Sequence, residues 1–196
     1  DFVCLSSKAK VFVNGENNRI FIEKEDVKTP KNGRLKININ GNRNIVKIEN
    51  GFFTPGKVNV DISGNDITFI IGANAAINDN CHFFLLENGS KIELGSDCMF
   101  AADVKVWNTD AHAILDENDK VTNVGKSIKI GNHVWVGMGA RIGKNVEIPD
   151  GCVVGWGSVV SRKFSEKNAV IAGNPARVVK VGVHWVRDCL LYTSDA

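Results

Sequence analysis

His112 stands in an irregular polar excursion within the stretch from Trp107 to Arg141, WNTDAHAILDENDKVTNVGKSIKIGNHVWVGMGAR. Imidazole titrates near neutrality, so on a loop open to substrate it suits a general base that takes a proton from a hydroxyl. Asp110, two residues earlier, either supports that ring electrostatically or opens the loop through an Asx-turn, and the residue types alone do not choose. His82, His112 and His133 allow a second chemistry, three imidazoles around a zinc ion. The close pair of ligands that such a site carries is missing, and His82 follows a cysteine expected to point inward, so its own ring should point away from the core; no metal is expected.

The elements that must hold His112 follow a six-residue rhythm. Ile130, Val136, Ile142, Ile148, Val154 and Val160 recur every sixth residue, with Gly131, Gly137, Gly143 and Gly155 directly after four of them and Pro149 in the slot after Ile148. Four residues after each of the first five anchors stands a small or modest residue, Val134, Ala140, Val146, Cys152 or Ser158, as a narrow interior requires. Ile71 and Ile77, then Leu94, Phe100 and Val106, carry the same phase, which makes Cys81, Cys98 and Cys152 core thiols rather than ligands. Six residues cover one strand and one corner, so three such units form a triangular coil that stacks on the previous one by parallel pairing. The expected class is all-β, a triangular solenoid of hexapeptide repeats. From Val106 to Ile130 the anchors vanish for twenty-four residues and then return in phase, so a loop projects from a rigid stack.

The first third alternates with period two: Val11 and Val13, Ile20 and Ile22, Leu35, Ile37 and Ile39, Ile45 and Ile48, Val58, Val60 and Ile62, then Ile67, Phe69 and Ile71. Asn14-Gly15, Asn40-Gly41 and Ser63-Gly64-Asn65 close these strands in tight corners, because such residues tolerate positive φ. The expected organisation is irregular solenoid rungs over 1–66, the hexapeptide β-helix over 67–163 with its loop at about 107–127, and a capping segment over 164–188. Residues 189–196 match no pattern elsewhere and resemble a translated sequencing-library adapter, the alternative being a natural disordered tail. With a start lacking Met, both ends read as cut.

Taken together, TDAHAI, HVWVGMGARI, VVGWGSVVSRKF and VIAGNPARVVK resemble the hexapeptide-repeat acyltransferases, and within them the bacterial O-acetyltransferases of sugars and capsular polysaccharides, including the sialic-acid type. The resemblance implies a left-handed parallel β-helix, acetyl-CoA as donor, a carbohydrate acceptor, and a homotrimer with sites between subunits. It gives His112 the role of base for direct attack on the thioester, and Trp135 an indole N–H near the thioester or the acceptor. Gly137, Gly139, Gly155 and Gly157 would leave backbone open to the pantetheine arm, or would be plain solenoid corners. Ser161 and Arg162 stand where the family commonly has Thr-Lys near the adenosine phosphates, and Arg177 matches a further phosphate-binding arginine. Trp156 departs from the family's usual small residue, and its role stays open.

Acetylation of an antibiotic such as chloramphenicol or a streptogramin would use the same scaffold and base. A solenoid without enzymatic activity, used for binding or assembly, is the reading of another class. The 24 lysines and arginines against 22 aspartates and glutamates give a net charge of +2, with no broad basic field for nucleic acid and no acidic tail. No apolar run is long enough to span a membrane and no signal peptide is evident, so a cytoplasmic protein is expected.

Overall fold

Each described strand of this chain lies on one of three long parallel sheets, which form the sides of a prism. The computed structural model describes residues 9–23 and 34–188; Cys4 and the expected adapter tail fall outside them. The first face contains Ala9–Asn14, Arg34–Asn40, Lys57–Ser63, Cys81–Leu85, Lys105–Trp107, Arg141–Ile142 and Val159–Val160. The second contains Arg19–Ile22, Ile45–Ile48, Thr68–Ile71, Lys91–Leu94, Ile128–Ile130 and Glu147–Ile148. The third contains Ala76–Ile77, Met99–Phe100, Trp135–Val136, Val153–Val154 and Ala169–Gly173, closed by the antiparallel strand Ala176–Val181. This is the all-β hexapeptide solenoid expected from the repeat. Ala169–Gly173 adds one more parallel strand to the third face beyond residue 163.

Two coil lengths recur. Arg141 pairs with Val159 and Lys129 with Glu147, eighteen residues along the chain, but Arg34 pairs with Lys57 and Thr68 with Lys91, twenty-three along. The extra residues sit at the corner between the first and second faces, where eleven positions separate Val60 from Ile71 and Phe83 from Leu94, against six between Ile142 and Ile148. Asparagines hold that corner together from coil to coil. The backbone N–H of Asn42 donates to Asn65 Oδ1 and that of Asn65 to Asn88 Oδ1, both at 2.8 Å, while the fully buried Asn44 accepts from the N–H of Ile67. The wider coils enclose a larger cross-section, filled by Phe52, Phe69, Phe83 and Phe100 where the narrower coils use Val, Ile and Ala.

Every predicted small position is buried: Val134, Ala140, Val146, Cys152 and Ser158. So are Cys81, Cys98 and Cys152, and burial pushes the Cys81 and Cys98 thiols up to about 11, which leaves them inert. One phase differs from the sequence reading. Val46 and Ile48 point inward and Ile45 outward, because the pleat sends alternate residues to one side and Ile45 cannot share a side with Ile48. Among the described residues no helix is long and apolar enough to cross a membrane.

Candidate active site

The loop leaves from the same corner that the asparagines occupy in the earlier coils, and Lys105 finds its next partner in Arg141, thirty-six residues on. Asn108 bolts it down. Its side chain is fully buried, accepting from the N–H of Leu86 at 3.1 Å and donating to Ser90 Oγ at 2.7 Å. Its backbone N–H donates to the carbonyl of Phe84, and its carbonyl accepts from the N–H of Lys126, so one residue fastens both ends of the excursion to the coil. Thr109, also buried, donates its hydroxyl to Glu87 and accepts from the N–H of Ala111.

Ala111 turns the chain with φ of 63°, a conformation that costs an L-residue without a polar side chain about 1 kcal/mol. The next residue is His112, whose backbone N–H donates to the carbonyl of Asp110 and whose carbonyl accepts from Asn123 Nδ2 at 2.8 Å. Its ring is exposed and makes no hydrogen bond among the described residues of one chain. The Asp110 carboxylate instead pairs with Lys144 Nζ, from the same corner one coil later, and accepts from Asn123 Nδ2 at 2.9 Å. The bonds from Lys144 and then Asn123 hold that carboxyl below the usual carboxylate range. Lys144 also donates to the Asn123 carbonyl at 2.7 Å. Asp110, Asn123 and Lys144 thus brace the backbone on both sides of His112.

Trp135 lies on the third face, 37% exposed, and in a three-sided prism that face is across the core from the corner bearing His112. Its neighbour is Trp185, buried by docking of the last described segment, with ring centroids 6.2 Å apart. Trp185 Nε1 donates to the carbonyl of His133, and Arg187 reaches Asp97 with bonds of 2.7 and 2.9 Å. Ser161 and Arg162 follow Val159–Val160 at the His112 corner, with the Arg162 guanidinium 5.6 Å from the Phe164 ring centre. Arg177 is on the closing strand of the third face.

Gly137, Gly139, Gly155 and Gly157 line the corner between the third and first faces, beside the exposed Trp156. They are of two kinds. A Cβ on Gly137 would fall 2.8 Å from backbone atoms of Val154 and Trp156, so close stacking of coils demands glycine there. Gly139 and Gly157 instead occupy the left-handed slot that Asn80 and Asp103 fill in earlier coils, and a Cβ on Gly157 would meet nothing. Their lack of side chains opens a shelf along Trp156.

The three histidines of the zinc reading sit apart, each in its own setting. His82 is on the first face against Asp61, His112 on the loop, and His133 between Asp97 and the Trp185 carbonyl at the corner of the second and third faces. Among the described residues, no three His, Cys, Asp or Glu side chains converge as ligands. Asn108, Asn123, Lys144 and Trp185 were not singled out in the sequence. Only the position of Asn108, two residues past the last anchor before the break, offered a signal.

No family model matches the chain. The polysialic acid O-acetyltransferase of Neisseria meningitidis is 35% identical over 193 residues, covering 88% of this chain and 87% of that protein. The crystal structure of the polySia-specific acetyltransferase NeuO matches with a TM-score of 0.71 and 27% identity, over 93% of this chain and 91% of that one. A galactoside acetyltransferase in complex with coenzyme A matches with a TM-score of 0.50 and 27% identity, over 59% of this chain and 55% of that one.

Proposed function

Because the chain belongs to the hexapeptide-repeat O-acetyltransferases, the family of the polysialic acid enzymes, we propose that it transfers acetyl from acetyl-CoA to a hydroxyl of a sugar or cell-surface polysaccharide, with His112 as general base. The observation that carries this is the braced loop, which presents an imidazole with neither ring nitrogen engaged among the described residues at a corner of a rigid stack.

Acetyl-CoA supplies an acetyl group activated as a thioester. The residues present suit it: a side-chain-free shelf at Gly139 and Gly157 for an extended arm, with Arg162 and Arg177 as cations for phosphate. His112 takes the proton from the acceptor hydroxyl as that oxygen bonds the carbonyl carbon, and returns it to the departing sulfur as the C–S bond breaks. No acyl-enzyme is needed. Trp135 offers an indole N–H to the oxygen that gains charge.

His112 and Trp135 lie across the prism from each other in one chain, so a site using both requires a second copy, His112 from one and Trp135 from its neighbour. The outward row of the third face supports such assembly. Ala76, Met99, Trp135, Val153 and Val170 stand in register there, apolar throughout. A homotrimer places three such sites at its clefts. With acetyl-CoA as donor, the reaction is cytoplasmic.

The test is turnover of acetyl-CoA with polysialic acid, sialic acid, galactosides and chloramphenicol as acceptors, comparing wild type with His112→Ala. Loss of about 10²–10⁴-fold on the preferred acceptor is expected. Equal rates in the two proteins overturn the role of His112, and preference for chloramphenicol overturns the acceptor class.

A further inference from the structure

The last described segment lies outside the prism as a strap. Gly182, at φ of 68°, turns the chain off the closing strand Ala176–Val181, and the N–H of Val183 then donates to the carbonyl of Asn168 at 2.9 Å. Asn168 ends a column of left-handed residues at the corner between the second and third faces, preceded there by Asn74, Asp97, His133 and Gly151, one per coil. The strap runs back along this column. Trp185 lands on His133, and Arg187 donates to Asp97 Oδ1 and to the carbonyls of Asn74 and Cys98. With coils about 4.8 Å apart, the four steps from Asn168 to Asn74 span about 19 Å. The four residue steps from Val183 to Arg187 cover at most about 14 Å, so the arginine side chain completes the span and the strap has little slack.

Trp185 is the anchor between these two fastenings. It is only 7% exposed although it lies outside the coils, because His133 covers one face of its ring and Trp135 stands beside it, 6.2 Å away and tilted by 47°. Its Nε1 donates to the His133 carbonyl and its own carbonyl faces His133 Nε2, so ring and backbone are both held. Trp135 has no comparable brace of its own. Its neighbours along the row are Met99, a flexible chain, and Val153, a small one, and its indole N–H makes no hydrogen bond among the described residues. A partly exposed tryptophan on a strand has several staggered settings open to it, and each points the N–H elsewhere. The fixed Trp185 ring fills the space on the corner side and excludes the settings that swing into it. His112 has Asp110, Asn123 and Lys144 for the equivalent purpose.

We propose that Trp185 is a positioning residue for the transfer reaction: held by the strap, it fixes the indole of Trp135 so that its N–H is already aimed when charge develops on the thioester oxygen. This rests on the reading of Trp135 as the donor to that oxygen. A donor stabilises the transition state only as far as it is placed beforehand, and a displacement of about 1 Å costs up to about 10²-fold. The strap therefore serves the site as well as the fold.

The experiment has two readouts on the full chain. Tryptophan is replaced by 5-fluorotryptophan, and the fluorine resonances of the four tryptophans are assigned by substituting each in turn. Turnover of acetyl-CoA is measured alongside, with the acceptor preferred among polysialic acid, sialic acid, galactosides and chloramphenicol. Trp185→Ala is expected to shift and broaden the Trp135 resonance and to lower kcat about tenfold, with both KM values within about twofold. Trp135→Phe should lower kcat about 10²-fold, and adding Trp185→Ala to it should lower kcat no further, since no N–H remains to be aimed. Trp185→Phe keeps a flat ring on His133 and should restore most of the loss. Arg187→Ala frees the far end of the strap without emptying a buried site, so it reads the same effect in smaller measure even where Trp185→Ala does not fold. Ile37→Ala, a comparably destabilising change in the core of an early coil, should leave kcat and the Trp135 resonance as they are. An unmoved Trp135 resonance in the strap variants overturns the proposal, as do losses that multiply in the double variant. A loss in Trp135→Phe beside full kcat in Trp185→Ala and Arg187→Ala overturns the strap's role alone. Full kcat in Trp135→Phe overturns the donor role of Trp135 and the proposal with it.

Discussion

His133 and Trp185, fifty-two positions apart, stack with ring centroids 4.1 Å apart and planes 8° from parallel. Each also bonds the other's backbone, Trp185 Nε1 to the His133 carbonyl at 2.9 Å and His133 Nε2 against the Trp185 carbonyl at 3.0 Å. His133 occupies the left-handed corner slot that Asn74, Asp97 and Asn168 hold in other coils, so its ring stands outward where a flat partner can cover it. The pair ties the last described segment to the third and second faces beside Trp135. Trp185→Ala is expected to cost about 3 kcal/mol in denaturant unfolding. An unchanged midpoint would show that the segment contributes nothing to the fold.

Asp97 joins this clasp and gives it a pH dependence. Burial pushes its carboxyl up, but bonds from His133 and Arg187 more than offset that, and the net direction is down. A depressed folded-state value means the contribution is complete above the ordinary carboxylate range and is lost as pH falls through the lowered folded value, beneath that range. The Tm gap between wild type and Asp97→Asn should therefore be widest near neutrality and close in acid. A gap that stays constant down to acid unfolding would assign the effect to something other than ionisation.

Asn108 is where fold and site meet. Asn108→Ala leaves the N–H of Leu86 without its buried acceptor, a loss of about 2 kcal/mol. It also removes the side-chain half of the fastening that sets His112. Activity should fall further than stability explains, with kcat affected more than KM, because the histidine remains but its position spreads. Full activity in a destabilised Asn108→Ala protein would show that the loop holds its shape without that bolt.

The hexads, the narrow interior, the core cysteines and the site of the loop were legible because each is a local period or a break in one. Ile45 was misphased because an isoleucine is equally at home on either side of a short strand, and only the neighbouring Val46 fixes the pleat. The pairing of Asp110 with Lys144 and of His133 with Trp185 joins residues 34 and 52 apart, where no period connects them. The strap beside Trp135 was hidden for the same reason: Asn168, His133, Asp97 and Asn74 form a column only after the coils stack.

Asp110 has two roles open to it, and Lys144 separates them. If the carboxylate braces the loop through Lys144, then Asp110→Asn and Lys144→Met should lower kcat to a similar extent, with stability changed by about 1 kcal/mol or less, since both side chains are partly solvated. If it acts on the imidazole directly, Asp110→Asn alone should lower kcat and shift its pH profile. The geometry favours the brace, so matched losses are the expected result.

The shelf beside Trp156 can be filled without disturbing the fold. At Gly157 the backbone has φ of 64°, and the corresponding corners hold Asn80 at 56° and Asp103 at 60°, so asparagine is at home in that conformation. A Cβ there meets no atom within 4 Å, so Gly157→Asn should leave Tm nearly unchanged. Gly137→Ala is the contrasting change, because its Cβ would lie 2.8 Å from the Trp156 nitrogen and the Val154 carbonyl and force two coils apart. If the pantetheine arm lies on the shelf, the asparagine side chain obstructs it and the KM for acetyl-CoA rises about tenfold, while the KM for the acceptor stays put. An unchanged acetyl-CoA KM in a fully folded Gly157→Asn protein would move the donor channel away from this corner.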